Sequence, residues 1–329
     1  MSARTSLTAR IEQYLSERRR LGFELKHMDQ SLGRLARYVK ARAHRGPLTV
    51  ELMASWARQA KGGRGERATA ARALRMLRPF TRWLQQFEPG TEVPDEAIFG
   101  PVPGRVTPHI FRDEEIAALL DAAGRIGPRS SVRGAVMQTL FGLIACTGLR
   151  ISEALALRDA DVELKAGVLT VRHGKFGKSR LVPLHPNAVA ALVRYRSERA
   201  RFVPTEPQQP FFIGTRGRRL GQPVGERQVH RIFEQLRRQL GWMARGGHGA
   251  ARIHDLRHSF AVRRLLCWHE QGVDVHARML ALSTYMGHAK ICHTYWYLTA
   301  VPELMQLVGR RFEQFVDLCD DTGEEHAHG

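Results

Sequence analysis

The 329 residues carry 51 Lys/Arg against 32 Asp/Glu, a formal charge of +19. That excess calls for a polyanionic partner. Nucleic acid comes first, because neutralising phosphates releases condensed counterions, with a basic membrane-surface protein as the competing class. A spanning helix is excluded, since no apolar run reaches the about 18 residues it needs, and Met1 to Arg20 is polar and charged where a secretory signal would be apolar.

The length favours about two domains, each able to bury its own core. Residues 1–88 contain nineteen Lys/Arg and seven Asp/Glu, so most of the excess charge lies in about a quarter of the chain. Helices are predicted there at 6–22, 25–43, 49–60 and 66–87, broken by Gly22, Gly46-Pro47 and Lys61-Gly62-Gly63. In the fourth, Leu77, Phe80, Leu84 and Phe87 recur at helical spacing, with Arg75, Arg78 and Arg82 on the opposite side. The apolar face packs, and the basic face is either solvated or free to meet phosphates. Residues 89–107 turn to Pro, Gly and acidic residues and read as a linker, with the boundary near residue 105.

From residue 108 to 320 the pattern is helical with a small strand insert, followed by a polar tail at 321–329. Helices are predicted at 132–146, 151–157, 186–201, 226–240, 255–271, 276–285 and 303–318. Two β-rich segments, 168–171 and 180–184, are joined by a glycine-containing hairpin at 172–179. The fold class is therefore mainly α with a small antiparallel β insert. Cys146, Cys267, Cys292 and Cys319 lack CxxC pairing and read as reduced thiols, mostly in the core.

Four short stretches concentrate the chemistry: Thr147-Gly148-Leu149-Arg150-Ile151-Ser152-Glu153, Gly174-Lys175-Phe176-Gly177-Lys178, His254-Asp255-Leu256-Arg257-His258, and Gly287-His288 followed nine residues later by Tyr297. Arginine suits a phosphodiester because its guanidinium stays charged and presents a planar fork of donors. Arg150 opens a helix, whose free amides also favour an anion. Arg257 and His254, three apart on a helix, project from one face. His254 and His258, four apart, could also bind zinc, but Asp255 stands where a zinc protease motif carries Glu. Tyr285, Tyr295 and Tyr297 compete as nucleophile. On a helix Tyr295 and Tyr297 point about 200° apart, so only one faces a phosphate. An ordinary phenol has a pKa near ~10, so the site must help remove its proton.

The order and spacing of these stretches resemble the tyrosine recombinase (phage integrase) family over roughly residues 108–318. The resemblance implies an N-terminal helical core-binding (SAM-like) domain and a catalytic domain, together forming a C-shaped clamp on double-stranded DNA. It implies a site-specific DNA recombinase that cuts through a 3′-phosphotyrosyl intermediate and resolves a Holliday junction without metal, ATP or other cofactor, in the cytoplasm at the nucleoid. By position it assigns Arg150 and Arg257 as the phosphate clamp. Lys175 is then the general acid for the leaving 5′ oxygen, with Lys178 at most a phosphate contact. His254 is the base or hydrogen-bonding group toward the nucleophile, His288 a further donor to the phosphate, and Tyr297 the nucleophile. Glu153 and His258 fall to supporting places, and Arg75, Arg78 and Arg82 to DNA contact. Leu266 to Ser283 is longer than a minimal connector, and Met286 stands where the family usually has Leu.

The final amphipathic helix, with Leu304, Leu307, Val308, Phe312, Phe315 and Val316, packs on its own domain or docks on a neighbouring protomer; docking implies a dimer on one site and a tetramer in synapsis. Two alternatives use much of the same chemistry: a type IB topoisomerase-like nicking and closing enzyme, which needs only one duplex, and a DNA-binding accessory protein with an idle site. The Arg-rich composition and Tyr295-Trp296-Tyr297-Leu298 look like recombinases of bacterial mobile elements.

Overall fold

A computed structural model describes residues 5–59, 66–95, 97–100, 104–128, 130–172 and 179–300. The chain divides into two compact units, Met1–Arg105 and Val106–Gly329.

The first unit is built from α1 (Leu7–Arg20), α2 (Lys26–Ala41), α3 (Val50–Arg58) and α4 (Glu66–Leu84). Ser6 caps α1 and Thr49 caps α3 through their side-chain oxygens. α1 stops two residues short of the predicted end, where Gly22 takes a left-handed φ of 87°. Tyr14, Leu32, Leu35, Met53, Leu77, Phe80 and Leu84 form its core, with the Tyr14 ring edge-on to Phe80 at 5.3 Å. Phe87, expected on the apolar face of α4, lies beyond the helix end and is 40% exposed.

Within the stretch expected to be a linker, described residues hydrogen-bond to the helices of the first unit. Glu92 N–H donates to the Leu48 carbonyl (2.8 Å), its carboxylate accepts from Val50 N–H (2.5 Å), and Arg67 and Arg78 donate to the carbonyls of Phe99 and Pro94. Prolines stop a helix here, but the extended backbone they leave finds partners on the helices. Residues 89–95 and 97–100 thus lie along the helices of the first unit.

The second unit contains α5 (Asp113–Gly124), α6 (Arg133–Thr147), α7 (Ile151–Leu155), β1 (Val162–Glu163), β2 (Val168–Val171), β3 (Arg180–Pro183), α8 (Pro186–Arg199), α9 (Glu226–Gln239), α10 (Ile253–Glu270), α11 (Val275–Met286) and α12 (Cys292–Ala300). The sheet is antiparallel in the order β1-β2-β3, with Leu169 opposite both Val162 and Val182, and Val171 opposite Arg180. β1, two residues long, is too short for an alternating pattern to reveal.

α10 runs between two cores. Its first turns, with Ile253 and Leu256, join Leu140, Phe141, Ile144 and Phe233, while Ala261, Val262 and Leu265 join Met279, Leu282 and Met286. Apolar residues therefore occur all round its first three turns, as expected of a buried helix. The long stretch Leu266 to Ser283 is mostly the ends of α10 and α11, joined by Gln271–Asp274. The cysteines depart from expectation: Cys146 and Cys292 are exposed and Cys267 half-buried, all three free. The Cys146 thiol donates to the Leu143 carbonyl, one turn back on α6, at 3.5 Å. Cys319 and helix 303–318 lie outside the described residues. No helix among the described residues is long and apolar enough to cross a membrane.

Candidate active site

α6 ends on Gly148, whose φ of 64° and close approach both require glycine: a Cβ there would sit 2.6 Å from the Phe260 ring. The tight turn delivers Arg150 to the start of α7. Glu153 then folds back on it, accepting from the Arg150 amide (3.0 Å) and from its guanidinium (2.6 Å). The free amides predicted to attract an anion are thus partly taken by the chain's own carboxylate.

Glu153 also accepts two bonds from Arg180 at the start of β3 (3.1 and 2.9 Å). Arg180 in turn donates through Nε to the Tyr285 carbonyl (2.7 Å). It passes directly under Gly287, where a Cβ would lie 2.7 Å from its Nη1 and φ is 66°. One carboxylate therefore ties the α7 start, the hairpin strand and the end of α11 together.

In the first turn of α10 stands Asp255, fully buried, whose carboxylate accepts from the Arg252 amide (2.8 Å) and guanidinium (2.7 Å). This N-terminal lock explains why Asp occupies the position. Arg257 follows, only 2% exposed. Its guanidinium donates to the carbonyls of Gly148 and, at 2.6 Å, Met286, while Arg150 donates to the next carbonyl, Gly287 (2.8 Å). The two arginines are thus anchored on consecutive carbonyls immediately before His288.

α12, a helix missing from the sequence-based prediction, carries Tyr295 and Tyr297. Tyr297 is 2% exposed, and its hydroxyl lies 2.9 Å from Nδ1 of His258. Tyr295 faces elsewhere, its ring 5.8 Å from that of His276, and Tyr285 stacks on Phe260 with its hydroxyl donating to the Pro183 carbonyl (3.4 Å). The histidine expected to hydrogen-bond the nucleophile was His254; the structure places His258 there instead. One further helical turn along α10 brings a side chain to α12, whereas His254 opens the helix and meets the His258 ring edge-on at 4.7 Å. His288 lies with its ring 6.4 Å from Tyr297 and its Nδ1 2.7 Å from Oγ1 of Thr294.

The phage integrase family model matches residues 109–303. The protein y4rB of Sinorhizobium fredii, named as an integrase/recombinase, is 36% identical over 92% of this chain and 96% of its own length. The chain belongs to the phage integrase family of tyrosine recombinases. The tyrosine recombinase XerD of Caulobacter vibrioides is 32% identical over 72% of each chain. Among solved structures, the Tn1549 transposon integrase in complex with transposon right end DNA matches with a TM-score of 0.64 at 16% identity, over 92% of this chain and 99% of that one. A lambda integrase dimer bound to a COC′ core site matches at 0.59 and 17%, over 87% and 96%. These two likenesses establish the fold.

In this recombinase the electrostatics follow from packing. Burial pushes Arg257 down to about 10, helped by the neighbouring Arg150 charge, and still leaves it cationic at neutral pH. Burial raises the Glu153 carboxyl, but its bonds to Arg180 and the charges of Arg180 and Arg150 outweigh this and hold it at about 2. His254 is lowered to about 4 and His258 to about 2, by burial first; Arg257 and Arg252 then act on His254, and His254, Arg252 and Arg257 on His258. Both imidazoles are neutral at pH 7, so the Tyr297 hydroxyl meets an uncharged His258 ring.

A pH dependence of stability follows. Below 6.5 the unfolded chain binds protons that the folded His258 refuses, so stability falls as the pH drops from 6.5 toward about 2. The Glu153 contribution, present above 4.5, is lost between 4.5 and about 2, in the same direction. Urea midpoints are expected to be highest at neutral pH or above. His258→Asn should flatten the decline between pH 6.5 and 4.5 by up to about 1.4 kcal/mol per pH unit, and an unchanged slope contradicts the assignment.

The structure brings Arg150, Glu153, Arg257, His258, His288 and Tyr297 together, with His254 beside them. Lys175 and Lys178 lie outside the described residues. Arg75, Arg78 and Arg82 line a notch on the first unit with Arg18 and Trp83. Two residues escaped the sequence reading. Arg180 was visible only as the last position of Gly-Lys-x-x-Lys-x-Arg, and Thr294 gave no signal, since a lone threonine on a helix has no pattern. Among the described residues no group of three or more His, Cys, Asp or Glu is placed to hold a metal.

Proposed function

We propose that this tyrosine recombinase binds duplex DNA and exchanges strands between two sites, with Tyr297 as nucleophile. The observation that carries the reading is the anchoring of Arg150 and Arg257 on the successive carbonyls of Gly287 and Met286, with the Tyr297 hydroxyl held against His258. Two guanidiniums neutralise the non-bridging oxygens of one phosphodiester. The phenolic proton passes along its hydrogen bond to His258, whose resistance to protonation the bound anionic phosphate reduces by offsetting the nearby arginine charges, as the bond from Tyr297 Oη to phosphorus forms and the bond to the 5′ oxygen breaks. Lys175, between β2 and β3 in sequence, protonates the leaving oxygen, as the resemblance implies. The 3′-phosphotyrosyl link keeps the energy of the broken ester, so attack by a 5′ hydroxyl of the second duplex reverses the step without ATP. Two such exchanges pass through a Holliday junction.

The relatives support DNA as partner and a mobile element as setting. The Tn1549 integrase is bound to transposon end DNA, the lambda integrase dimer to a core site, and XerH to its difH substrate. A nicked suicide substrate that traps the covalent complex tests the chemistry. Sedimentation of the trapped species tests the assembly: two protomers per site and four per synapsed pair support exchange, with residues 303–318 as the proposed contact. A lone protomer on one duplex supports nicking and closing instead.

On the first unit, the notch formed by Arg18, Arg75, Arg78 and Arg82 presents guanidiniums from α1 and α4 together. We propose that it receives backbone phosphates. Arg82→Glu is expected to weaken DNA binding by about tenfold at low salt, similarly across sequences, and to reduce the slope of log affinity against log salt by about one. Loss confined to one DNA sequence argues for base contact instead.

A further inference from the structure

His288 follows the glycine that ends α11, its amide donating to the Ser283 carbonyl at 2.9 Å. Its backbone is therefore fixed, but a backbone does not choose which ring nitrogen carries the proton. A neutral imidazole has one donor and one acceptor nitrogen, and the partner of one decides the role of the other. The Nδ1 partner is Thr294 Oγ1, 2.7 Å away.

Thr294 is fully buried and sits on α12 one turn before Tyr297. A buried helical threonine ordinarily returns its hydroxyl to the carbonyl four residues back. Thr81 and Thr147 do this here, donating to Leu77 and Leu143. The Thr294 hydroxyl is directed at an imidazole instead. If it donates to Nδ1, the proton of the ring stays on Nε2, and Nε2–H becomes the donor that a phosphate oxygen requires. The same bond fixes the ring plane, which lies 26° from that of Tyr297.

We propose that Thr294 is a positioning residue for strand cleavage: its hydroxyl donates to Nδ1 of His288 and holds the imidazole in the Nε2–H form facing the scissile phosphate. The inference rests on the reading of His288 as a phosphate donor. Because Thr294 and Tyr297 share α12, the bond also registers the nucleophile's helix against the phosphate-binding histidine.

Single-turnover cleavage of a nicked suicide substrate by the full chain, with DNA affinity measured in parallel, tests this. Thr294→Val removes the hydroxyl at nearly constant volume and is expected to slow cleavage about 10- to 100-fold with DNA affinity within about twofold of the parent. Thr294→Ser restores most of the rate. The double variant T294V/H288N should be no slower than H288N, because the hydroxyl acts only through the imidazole. Full additivity in the double variant, or T294V cleaving at the parent rate while H288N is slow, overturns the proposal and leaves the role of His288 intact. H288N at the parent rate overturns the underlying reading as well. Nitrogen-15 shifts of the His288 ring give a second measure on the folded parent chain: an Nε2–H tautomer is expected, and Nδ1–H overturns the assignment.

Discussion

Replacing Tyr297 with phenylalanine is expected to abolish covalent trapping of a nicked DNA substrate, a loss of at least about 10⁴-fold in cleavage, while Tyr295→Phe stays within about threefold of the parent. The asymmetry comes from α12. Its geometry sends the two side chains to opposite sides, Tyr295 toward His276 and Tyr297 into the core beside His258. Removing the Tyr297 hydroxyl deletes the attacking atom but leaves the ring, so the packing with Ala261, Leu265 and Met279 survives. DNA affinity should therefore remain near the parent value. Attachment of DNA to Tyr295 would refute the assignment while sparing the chemistry.

The second large effect is expected at Glu153, a residue that touches no substrate in this reading. Glu153 is 7% exposed, and its carboxylate bridges Arg150 and Arg180. Glu153→Ala leaves two guanidiniums facing one another around a vacated anion site, a change that costs about 3–5 kcal/mol when a buried pair is broken from one side. Against a total of about 5–15 kcal/mol that is a large fraction, and urea unfolding measures it directly. Adding Arg180→Met to Glu153→Ala removes the surplus charge and should recover part of the loss. A double variant less stable than either single one would show that the triad is not the cause. Cleavage should fall as well, because Glu153 holds both Arg150 and the strand that follows the hairpin.

How much of this was legible beforehand can be judged from particular elements. The helices of the second unit were readable because long apolar periodicity needs only local information, and α6, α8, α9 and α10 fall close to their predicted spans. β1 was not readable, since two residues carry no period and are extended only because β2 lies beside them. The contacts made by residues 89–95 and 97–100 were not readable for a related reason. Prolines and acidic residues announce that a helix has stopped, and not where the released backbone will find its partners. Arg199, fully buried and paired with Asp159, was placed in a helix by pattern, but nothing in that pattern distinguished it from the solvated arginines around it.

The catalytic set was legible as residue types at spacings shared with a family. The sequence alone therefore determined the family and the helical class, and it singled out Arg150, Arg257, His288 and Tyr297 as the candidates for the proposed chemistry. Tertiary structure decided the pairings: His258 rather than His254 on the phenol, Glu153 shared with Arg180, and Thr294 on His288. The physical reason is one of range. Helix periodicity and turn chemistry act over a few residues and are written in order along the chain. A hydrogen bond between side chains 27 or 39 residues apart depends on the angle at which helices pack, which side-chain volumes across a whole core fix together.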